Sequence, residues 1–178
     1  MNLFIDTETT GLMKDNLPLD DEEQPWPVEL AGILTRPDGQ TVSSFHVVIK
    51  PGGWVITQET AKIHGISHAY ALEYGMPLED ALAILQVFAD RAEQVLAYNM
   101  AFDGSIIEAA CLRRNYASPL NGKQLKCVMR MAMEHFNAGR RSQKDVYRRL
   151  FNEEIPDVHS ALGDGRACCR IFEAISPP

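Results

Sequence analysis

The order of apolar and polar residues over the first fifty positions predicts three β-strands. They are the runs NLFID (2–6), VELAGILTR (28–36) and TVSSFHVVIK (41–50), and the Pro-Asp-Gly sequence between the last two is typical of a tight turn. Such a turn joins antiparallel neighbours, so the runs predict an antiparallel meander. Residues 13–27 are polar and interrupted by prolines, which predicts an irregular, mobile loop that Trp26 anchors at its end.

From residue 58 onwards, apolar residues recur at the spacing of amphipathic helices. The pattern predicts helices over residues 58–64, 77–94, 102–114 and 161–175, and Ser142 with Asp145 three positions later predicts the start of another. The run VLAY (95–98) predicts a further strand, and KCVMRMAM (126–133) predicts a strand or a short helix. This order predicts a single α/β domain over residues 1–178, with a mixed β-sheet flanked by helices.

The composition is that of a globular protein and excludes several other classes. A chain of 178 residues, of which 46% are hydrophobic and 23% charged, can bury a core without disulfide bonds. The sequence contains neither a long uninterrupted apolar run nor a basic leader, so we expect no membrane span, no signal peptide and a cytoplasmic location. The four cysteines show no Cys-x-x-Cys spacing, so we expect reduced, packed thiols.

The charge is segregated along the chain. The net charge of −7 argues against a nucleic-acid partner, yet residues 113–149 contain ten Lys or Arg and two acids. This segment, called the basic flank below, therefore carries +8, and the remainder of the chain carries −15. The basic flank predicts either contact with phosphates or simply a solvated face, and the sequence leaves both open.

Four acidic residues lie where a strand ends or a helix begins. Asp6 and Glu8 follow the first apolar run, and side chains two positions apart on a strand share one face. Asp103 lies at the start of one predicted helix and Asp164 at the start of the last. Taken singly, each acid has a simpler explanation. Asp6 and Glu8 would belong to a turn that begins where the strand has ended, Asp103 would be a first-turn acid favoured by the helix dipole, and Asp164 would be a surface residue.

Together the four acids predict a metal site. Carboxylate oxygens completed by waters suit Mg²⁺ or Mn²⁺ rather than zinc, and four acids around two such ions are the arrangement used for in-line displacement at phosphorus. His159, five positions before Asp164, is placed to accept the proton of the attacking water. The predicted metal ligands and catalytic residues are Asp6, Glu8, Asp103 and Asp164, with His159 as the general base.

Three of the other histidines have weaker signals. His46 lies within a predicted strand, where we expect a structural role, and His68 lies in a predicted loop. His64 precedes Gly65 at the end of a predicted helix, so the sequence leaves open whether it belongs to a helix cap or touches a substrate.

Three separated motifs resemble the DnaQ-like (DEDDh) family of 3′-to-5′ exonucleases, whose best-known member is the proofreading subunit of the bacterial replicative polymerase. The motifs are FIDTETTG, AYNMAFD and HSALGDGRA, with softer similarity at PVELAGI, KIHGIS and CVMRMA. The resemblance covers about residues 1–175. It implies a ribonuclease-H-like mixed β-sheet flanked by α-helices, two Mg²⁺ or Mn²⁺ ions, and the release of nucleoside 5′-monophosphates from a 3′ end.

The resemblance also implies partners and a substrate pocket. The partner would be a nucleic acid with a free 3′ end, with DNA favoured and RNA possible, and no membrane. The residues that would form the pocket for the terminal nucleotide are Thr9, Leu12, His64, Asn99 and Phe102.

The sequence departs from the family pattern in three places. The acidic run LDDEEQ (19–24) would lie near an anionic substrate, and Tyr98 stands where the proofreading subunit has a histidine. The chain ends at Pro178, soon after the last motif, so we expect a free-standing exonuclease without a polymerase tether. Two alternatives stay open: an exoribonuclease or oligonucleotide-degrading enzyme of the same family, and a non-catalytic nucleic-acid-binding domain, which has no physical reason to keep four mutually repelling acids.

Overall fold

Five strands form one mixed β-sheet in the computed structural model of the protein, which describes residues 1–176. The strands are β1 (Asn2–Thr9), β2 (Pro27–Thr35), β3 (Thr41–Val48), β4 (Gln94–Ala97) and β5 (Gln124–Cys127). Their order across the sheet is β3-β2-β1-β4-β5. β2 pairs antiparallel with both β1 and β3, which confirms the predicted meander, whereas β4 runs parallel to β1 and β5 runs parallel to β4.

The helices follow the predicted order with one addition. They are α1 (Gln58–His64), α2 (His68–Tyr74), α3 (Leu78–Asp90), α4 (Met100–Arg113), α5 (Val128–Phe136), α6 (Gln143–Phe151) and α7 (Ala161–Ile175). The segment KCVMRMAM contains both predicted alternatives, because β5 ends at Cys127 and α5 begins at the next residue. The Ser142 side chain accepts a hydrogen bond from the Asp145 N–H and so caps α6, as predicted.

The prediction that His68 lies in a loop is wrong. His68 is the first residue of α2, and the Ser67 hydroxyl caps this helix by accepting a 3.1 Å hydrogen bond from the Tyr70 N–H. The His68 Nδ1 atom accepts a 3.3 Å hydrogen bond from the Ile56 N–H. The N-cap serine was the missed signal, because a helix of two turns leaves too short an apolar pattern to be recognised.

The sheet is covered by helices on both faces, which confirms the predicted α/β architecture. Along β1, Leu3 and Ile5 belong to one apolar cluster and Phe4 to another, since successive side chains on a strand point to opposite faces. The first cluster includes residues of α3 and α4, and the second includes residues of α5, α6 and α7. β2 is buried along its whole length.

The parallel strands bring two helix starts to one end of the sheet. β1, β4 and β5 run in the same direction, so their last residues lie together at what we call the carboxyl end of the sheet. α4 begins three residues after β4, and α5 follows β5 directly. α7 packs on β1 and β2 from the opposite face to α4. Side chains from both faces therefore meet at the carboxyl end.

The polar loop between β1 and β2 is fixed at its C-terminal end, where it joins β2. The indole of Trp26 is buried and stacks on Trp54, with ring centroids 4.3 Å apart. The Arg113 guanidinium lies 3.5 Å from the Trp26 ring centroid and donates hydrogen bonds to the carbonyls of Gln24 (2.8 Å) and Pro25 (2.9 Å). The predicted anchoring by Trp26 is confirmed, and α4 supplies the side chain that completes it.

Two further sequence predictions concern cysteines and membrane spans. The four cysteines are free thiols, and Cys111, Cys168 and Cys169 are buried. Over residues 1–176, none of the helices combines the length and the apolar character needed to cross a bilayer.

A pair of glycines in α7 gives a test of this packing. A Cβ atom at Gly163 would overlap the carbonyl oxygen of Asp157, whereas at Gly165 its nearest neighbours would be Ile33 Cδ1 at 3.5 Å and Asp6 Cβ at 3.9 Å. We expect Gly163→Ala to lower the free energy of unfolding by about 1–3 kcal/mol because backbone must move. Gly165→Ala should instead leave it unchanged or raise it by about 0.5–1 kcal/mol, since alanine favours the helix. Urea denaturation measures both, and equal effects would contradict this packing.

Candidate active site

The first pair of acids lies on the face of the sheet that α7 covers. β1 continues to Thr9, so the alternative in which the strand has ended at Asp6 is wrong. Asp6 and Glu8 follow Phe4 at two-residue intervals and therefore point to the same face as that residue. The close approach of Gly165 to Asp6 shows that α7 runs directly past this carboxylate.

Asp103 reaches the carboxyl end of the sheet from the other face. It is a buried residue of the first turn of α4. Its Oδ1 atom accepts hydrogen bonds from the Thr7 N–H (3.0 Å) and the Thr7 hydroxyl (2.8 Å). Burial raises the pKa of Asp103 to about 7, although the two bonds from Thr7 act in the opposite direction.

His159 and Asp164 form a local pair at the start of α7. The Asp164 Oδ2 atom accepts a 3.0 Å hydrogen bond from the His159 N–H. His159 has a φ of 65°, a left-handed conformation that turns the chain sharply before the helix. One possible ligand atom each from Glu8, His159 and Asp164 lie within 4.8 Å of one another. The histidine ring is thus close to two of the acids that the sequence predicted as metal ligands.

A fifth acid, Glu29 of β2, belongs to this site and was not assigned from the sequence. It is 4% exposed and lies directly opposite Glu8 in the β1–β2 register. Its Oε2 atom accepts a 2.6 Å hydrogen bond from the N–H of Ala161, the first residue of α7, and its Oε1 atom lies 2.5 Å from His46 Nε2. Glu29 therefore caps α7, whose own N-cap Ser160 makes no side-chain bond. The available signal was an acid inside the apolar run VELAGI.

The electrostatics of these acids favour a bound cation. Burial and the charge of Asp164 raise the pKa of Glu8 to about 8. The pKa of Asp6 is raised well above its ordinary value by burial and then by the negative charges of Asp103 and Asp164. Burial also raises the pKa of Asp164. Oxygen donors that repel one another in this way fit a hard divalent cation, which would neutralise them.

A cavity of about 240 Å³ opens beside Glu8. It brings together four of the five residues predicted to hold a terminal nucleotide: Thr9, Leu12, His64 and Phe102. The fifth, Asn99, lines a neighbouring groove instead. Thr60 and Ile63 of α1 also line the cavity and were missed, because nothing in the sequence shows which face of α1 turns towards β1.

His64 offers a hydrogen-bond donor at this cavity. It is the last residue of α1 and is 9% exposed. Gly65 follows it in a left-handed conformation and caps the helix, so His64 both ends α1 and lines the cavity. Its Nδ1 atom accepts a 3.2 Å hydrogen bond from the Ile66 N–H, which leaves the proton of the neutral ring on Nε2. Burial lowers the pKa of His64 and so favours the neutral ring. The Nε2 atom has no partner among residues 1–176.

The basic flank is not a uniform surface. Four of its arginines already have side-chain partners: Arg113 and Arg114 over Trp26, Arg149 over Phe136, and Arg148 in an exposed ion pair with Glu154. Lys126 and Arg130 instead line the groove that Asn99 borders. The basic flank is therefore divided between cations that already have partners and cations, such as Lys126 and Arg130, that line this groove.

The raised pKa values predict an unusual pH dependence of stability. Acids in the unfolded chain titrate near pH 4, whereas Glu8 and Asp103 in the folded protein have pKa values of about 8 and 7. Between these limits the folded state binds more protons, so without metal the free energy of unfolding should fall as pH rises from about 4 to 8, by an amount on the order of a few kcal/mol.

Urea denaturation at pH 5 to 8 measures this effect. In EDTA we expect the fall just described, and with saturating Mg²⁺ we expect it to be abolished, because the cation binds the ionised acids of the folded state. Stability that rises with pH in EDTA, or the same curve with and without Mg²⁺, would contradict the arrangement of acids.

Comparison with known proteins identifies the family to which this chain belongs. The model of the RNase_T exonuclease family matches residues 3–172. A search of curated proteins found no significant match. Among solved structures, the nuclease domain of 3′hExo, a DEDDh family member bound to rAMP, matches with a TM-score of 0.78 at 12% identity over 97% of this chain and 89% of that one.

Two structures of Escherichia coli exonuclease I, one in complex with a dT13 oligonucleotide and one a zinc-bound complex with single-stranded DNA, each match with a TM-score of 0.77 at 17% identity. These matches cover 97% and 98% of this chain. This chain spans 40% of the length of each of those proteins. At these identities the similarity establishes a ribonuclease-H-like exonuclease fold. The family match over nearly the whole chain, with four acids and a histidine in the DEDDh order, shows that the chain belongs to the RNase_T exonuclease family and is of the DnaQ-like DEDDh type.

Proposed function

We propose that this protein is a metal-dependent 3′-to-5′ exonuclease that acts on single-stranded DNA and releases nucleoside 5′-monophosphates. The observation that carries the proposal is the meeting of acids from both faces of the sheet at one end, beside a cavity of about 240 Å³. An exposed histidine lies next to two of these acids. A nucleotide in the cavity would place its phosphate against them.

Two divalent ions would be held by Asp6, Glu8, Asp103 and Asp164. We propose Mg²⁺ or Mn²⁺, because the acids offer only oxygen donors. When bound, such ions stabilise negative charge on the attacking and leaving oxygens of the phosphodiester. The zinc-bound form of E. coli exonuclease I makes zinc a third candidate for testing.

His159 would act as the general base. Its ring is exposed to solvent, so an attacking water can reach it, and it lies within 4.8 Å of donor atoms of Glu8 and Asp164. An imidazole suits proton acceptance near neutral pH. The bond from its backbone N–H to Asp164 fixes the position of the residue relative to that acid.

The cavity residues would bind the terminal nucleotide. Phe102 is half-buried at the cavity wall and offers a ring for stacking, worth about 1–3 kcal/mol for a base. The His64 Nε2–H has no partner within residues 1–176 and can donate to a sugar or phosphate oxygen. Neither contact by itself distinguishes DNA from RNA.

The second candidate is an exoribonuclease. The observation that favours it is the structural match to the nuclease domain of 3′hExo bound to rAMP, which covers 89% of that chain. The complexes of exonuclease I with dT13 and single-stranded DNA favour DNA, but this chain spans 40% of those proteins. The preference between DNA and RNA is therefore to be measured directly.

The test is a gel assay on 5′-labelled single-stranded DNA and RNA of one sequence, with Mg²⁺, Mn²⁺, Zn²⁺ or EDTA. We expect shortening of DNA from its 3′ end with Mg²⁺ or Mn²⁺, none in EDTA, and none for Asp164→Asn, which removes a metal ligand while relieving repulsion. If RNA is shortened faster than DNA, RNA replaces DNA as the proposed substrate. No shortening of either, with metal binding measured by calorimetry, would favour the non-catalytic alternative.

His159→Asn tests the general base, because asparagine tolerates the positive φ at this position. We expect single-turnover hydrolysis to slow by about 10²- to 10⁴-fold with metal affinity retained. The matched control is His135→Asn, an exposed histidine of α5 that contacts Phe136. Equal rates for the two variants would remove His159 from the reaction.

A further inference from the structure

The carboxylate of Glu29 has a hydrogen-bond partner on each of its two oxygens. The Oε2 atom accepts a 2.6 Å bond from the Ala161 N–H, and the Oε1 atom lies 2.5 Å from His46 Nε2. A carboxylate can only accept, so the second bond requires a hydrogen on Nε2, which both the neutral and the protonated imidazole can supply. His46 therefore holds one side of a carboxylate whose other side holds the first residue of α7.

His46 lies in the same row across the sheet as the acid Asp6. In the strand register His46 of β3 is opposite Ala31 of β2, and Ala31 is opposite Asp6 of β1. Opposed residues share a face of the sheet, as do residues two apart on a strand, so His46, Glu29 and Asp6 all point towards α7. The His46 side chain is 38% exposed and that of Glu29 is 5% exposed. The pair thus connects the edge strand to the interior of the site.

Glu29 depends on both of these donors. Its carboxylate is buried and lies opposite Glu8 in the β1–β2 register, so it loses solvation and meets a like charge. Removing one donor would leave a buried carboxylate oxygen without a partner, which costs more than the bond itself contributes. Without His46 the carboxylate would turn towards another donor or water, and its bond to Ala161 would weaken.

The start of α7 in turn depends on Glu29. The N-cap Ser160 makes no side-chain bond, and His159 has a φ of 65°, a conformation that a non-glycine residue keeps only when surrounding contacts hold it. The His159 N–H donates to Asp164 Oδ2 within the same turn of chain. A shift at Ala161 would therefore displace both His159 and Asp164.

We propose that His46 is a positioning residue for the exonuclease reaction: through Glu29 it fixes the start of α7 and so holds His159 in place at the reacting phosphate. This inference rests on the proposed function. His46 is not among the residues that line the terminal-nucleotide cavity, and that cavity is formed by β1, the loop after it, α1 and α4 without α7. Loss of the His46–Glu29 bond should therefore lower kcat and leave KM nearly unchanged.

The kinetic test compares side chains that differ in their ability to donate to Glu29. His46→Gln keeps an N–H donor at similar reach, whereas His46→Phe keeps a ring without a donor. On a 5′-labelled single strand, dT or U as the gel assay directs, we expect His46→Phe to lower kcat about 10- to 100-fold with KM changed by less than about twofold, because a small displacement of a catalytic group is costly. His46→Gln should recover most of the lost rate.

The matched control is Ser44→Ala, which alters an exposed residue on the same face of β3 and should keep the wild-type kcat. If His46→Phe does not fold, His46→Asn takes its place, since it carries the same amide as glutamine one methylene further from Glu29. Circular dichroism and urea denaturation establish that each variant is folded in the assay.

A double-mutant cycle tests whether His46 acts through Glu29. Glu29→Ala removes the cap of α7 and should itself lower kcat. The proposed route is then already lost, so adding His46→Phe should change kcat by less than about twofold more. Losses that multiply would mean that His46 acts on the site independently, and would overturn the proposal.

Amide hydrogen exchange measured by NMR reports on the start of α7 without requiring hydrolysis. The buried Ala161 N–H should exchange about tenfold faster or more in His46→Phe, and at the wild-type rate in His46→Gln and Ser44→Ala. Ile171, buried in the same helix, should keep its wild-type rate in every variant. Equal acceleration at Ala161 and Ile171 would indicate a general loss of stability and would contradict the positioning role.

Failure of the positioning role and failure of the proposed function give different results. An active wild-type protein with kcat for His46→Phe equal to that of Ser44→Ala, or with equal losses for His46→Phe and His46→Gln, would overturn the positioning role and leave the exonuclease proposal intact. Absence of hydrolysis by the wild-type protein would overturn the proposed function, and the exchange rate of Ala161 would still decide whether His46 fixes the start of α7.

Discussion

Repulsion between carboxylates gathered at the carboxyl end of the sheet is the constraint on which the rest of the structure depends. Glu8 faces Glu29 across the β1–β2 pair, and Asp6 lies within reach of the charges of Asp103 and Asp164. No packing argument favours such a cluster, because each acid loses solvation and meets like charges. The sheet, buried on both faces by helices, supplies the stability that lets the chain hold these groups where a divalent cation would neutralise them.

The two faces of the sheet contribute different parts of the site. The face under α7 carries Asp6, Glu8 and the His159–Asp164 pair, while α4 on the other face brings Asp103, fixed by its two bonds from Thr7. The start of α4 also lies between the cavity beside Glu8 and the groove that Asn99 and Lys126 line. One helix start therefore fixes both a proposed metal ligand and the walls of two neighbouring cavities.

The sequence predicts what is local and leaves out what is long-range. The meander, most helices and the four acids follow from apolar spacing, caps and motif order. Glu29 was missed because its partner Ala161 is 132 positions away, and nothing in VELAGI indicates that distance. The sequence also does not show which cations of the basic flank have partners, because whether an arginine contacts Trp26, Glu154 or solvent depends on packing. Helix α2 was not predicted, because a helix of two turns contains too few apolar positions to show helical spacing.

The pairing of Glu8 with Glu29 also makes the active site a check on strand register. A slip of one residue between β1 and β2 would turn Asp6 and Glu8 to the α4 face and separate them from α7. It would also remove Glu29 from the Ala161 N–H and leave α7 uncapped. A chain with misaligned strands would thus lack the proposed cation site, so a cation that binds there would favour the correctly aligned sheet over compact alternatives.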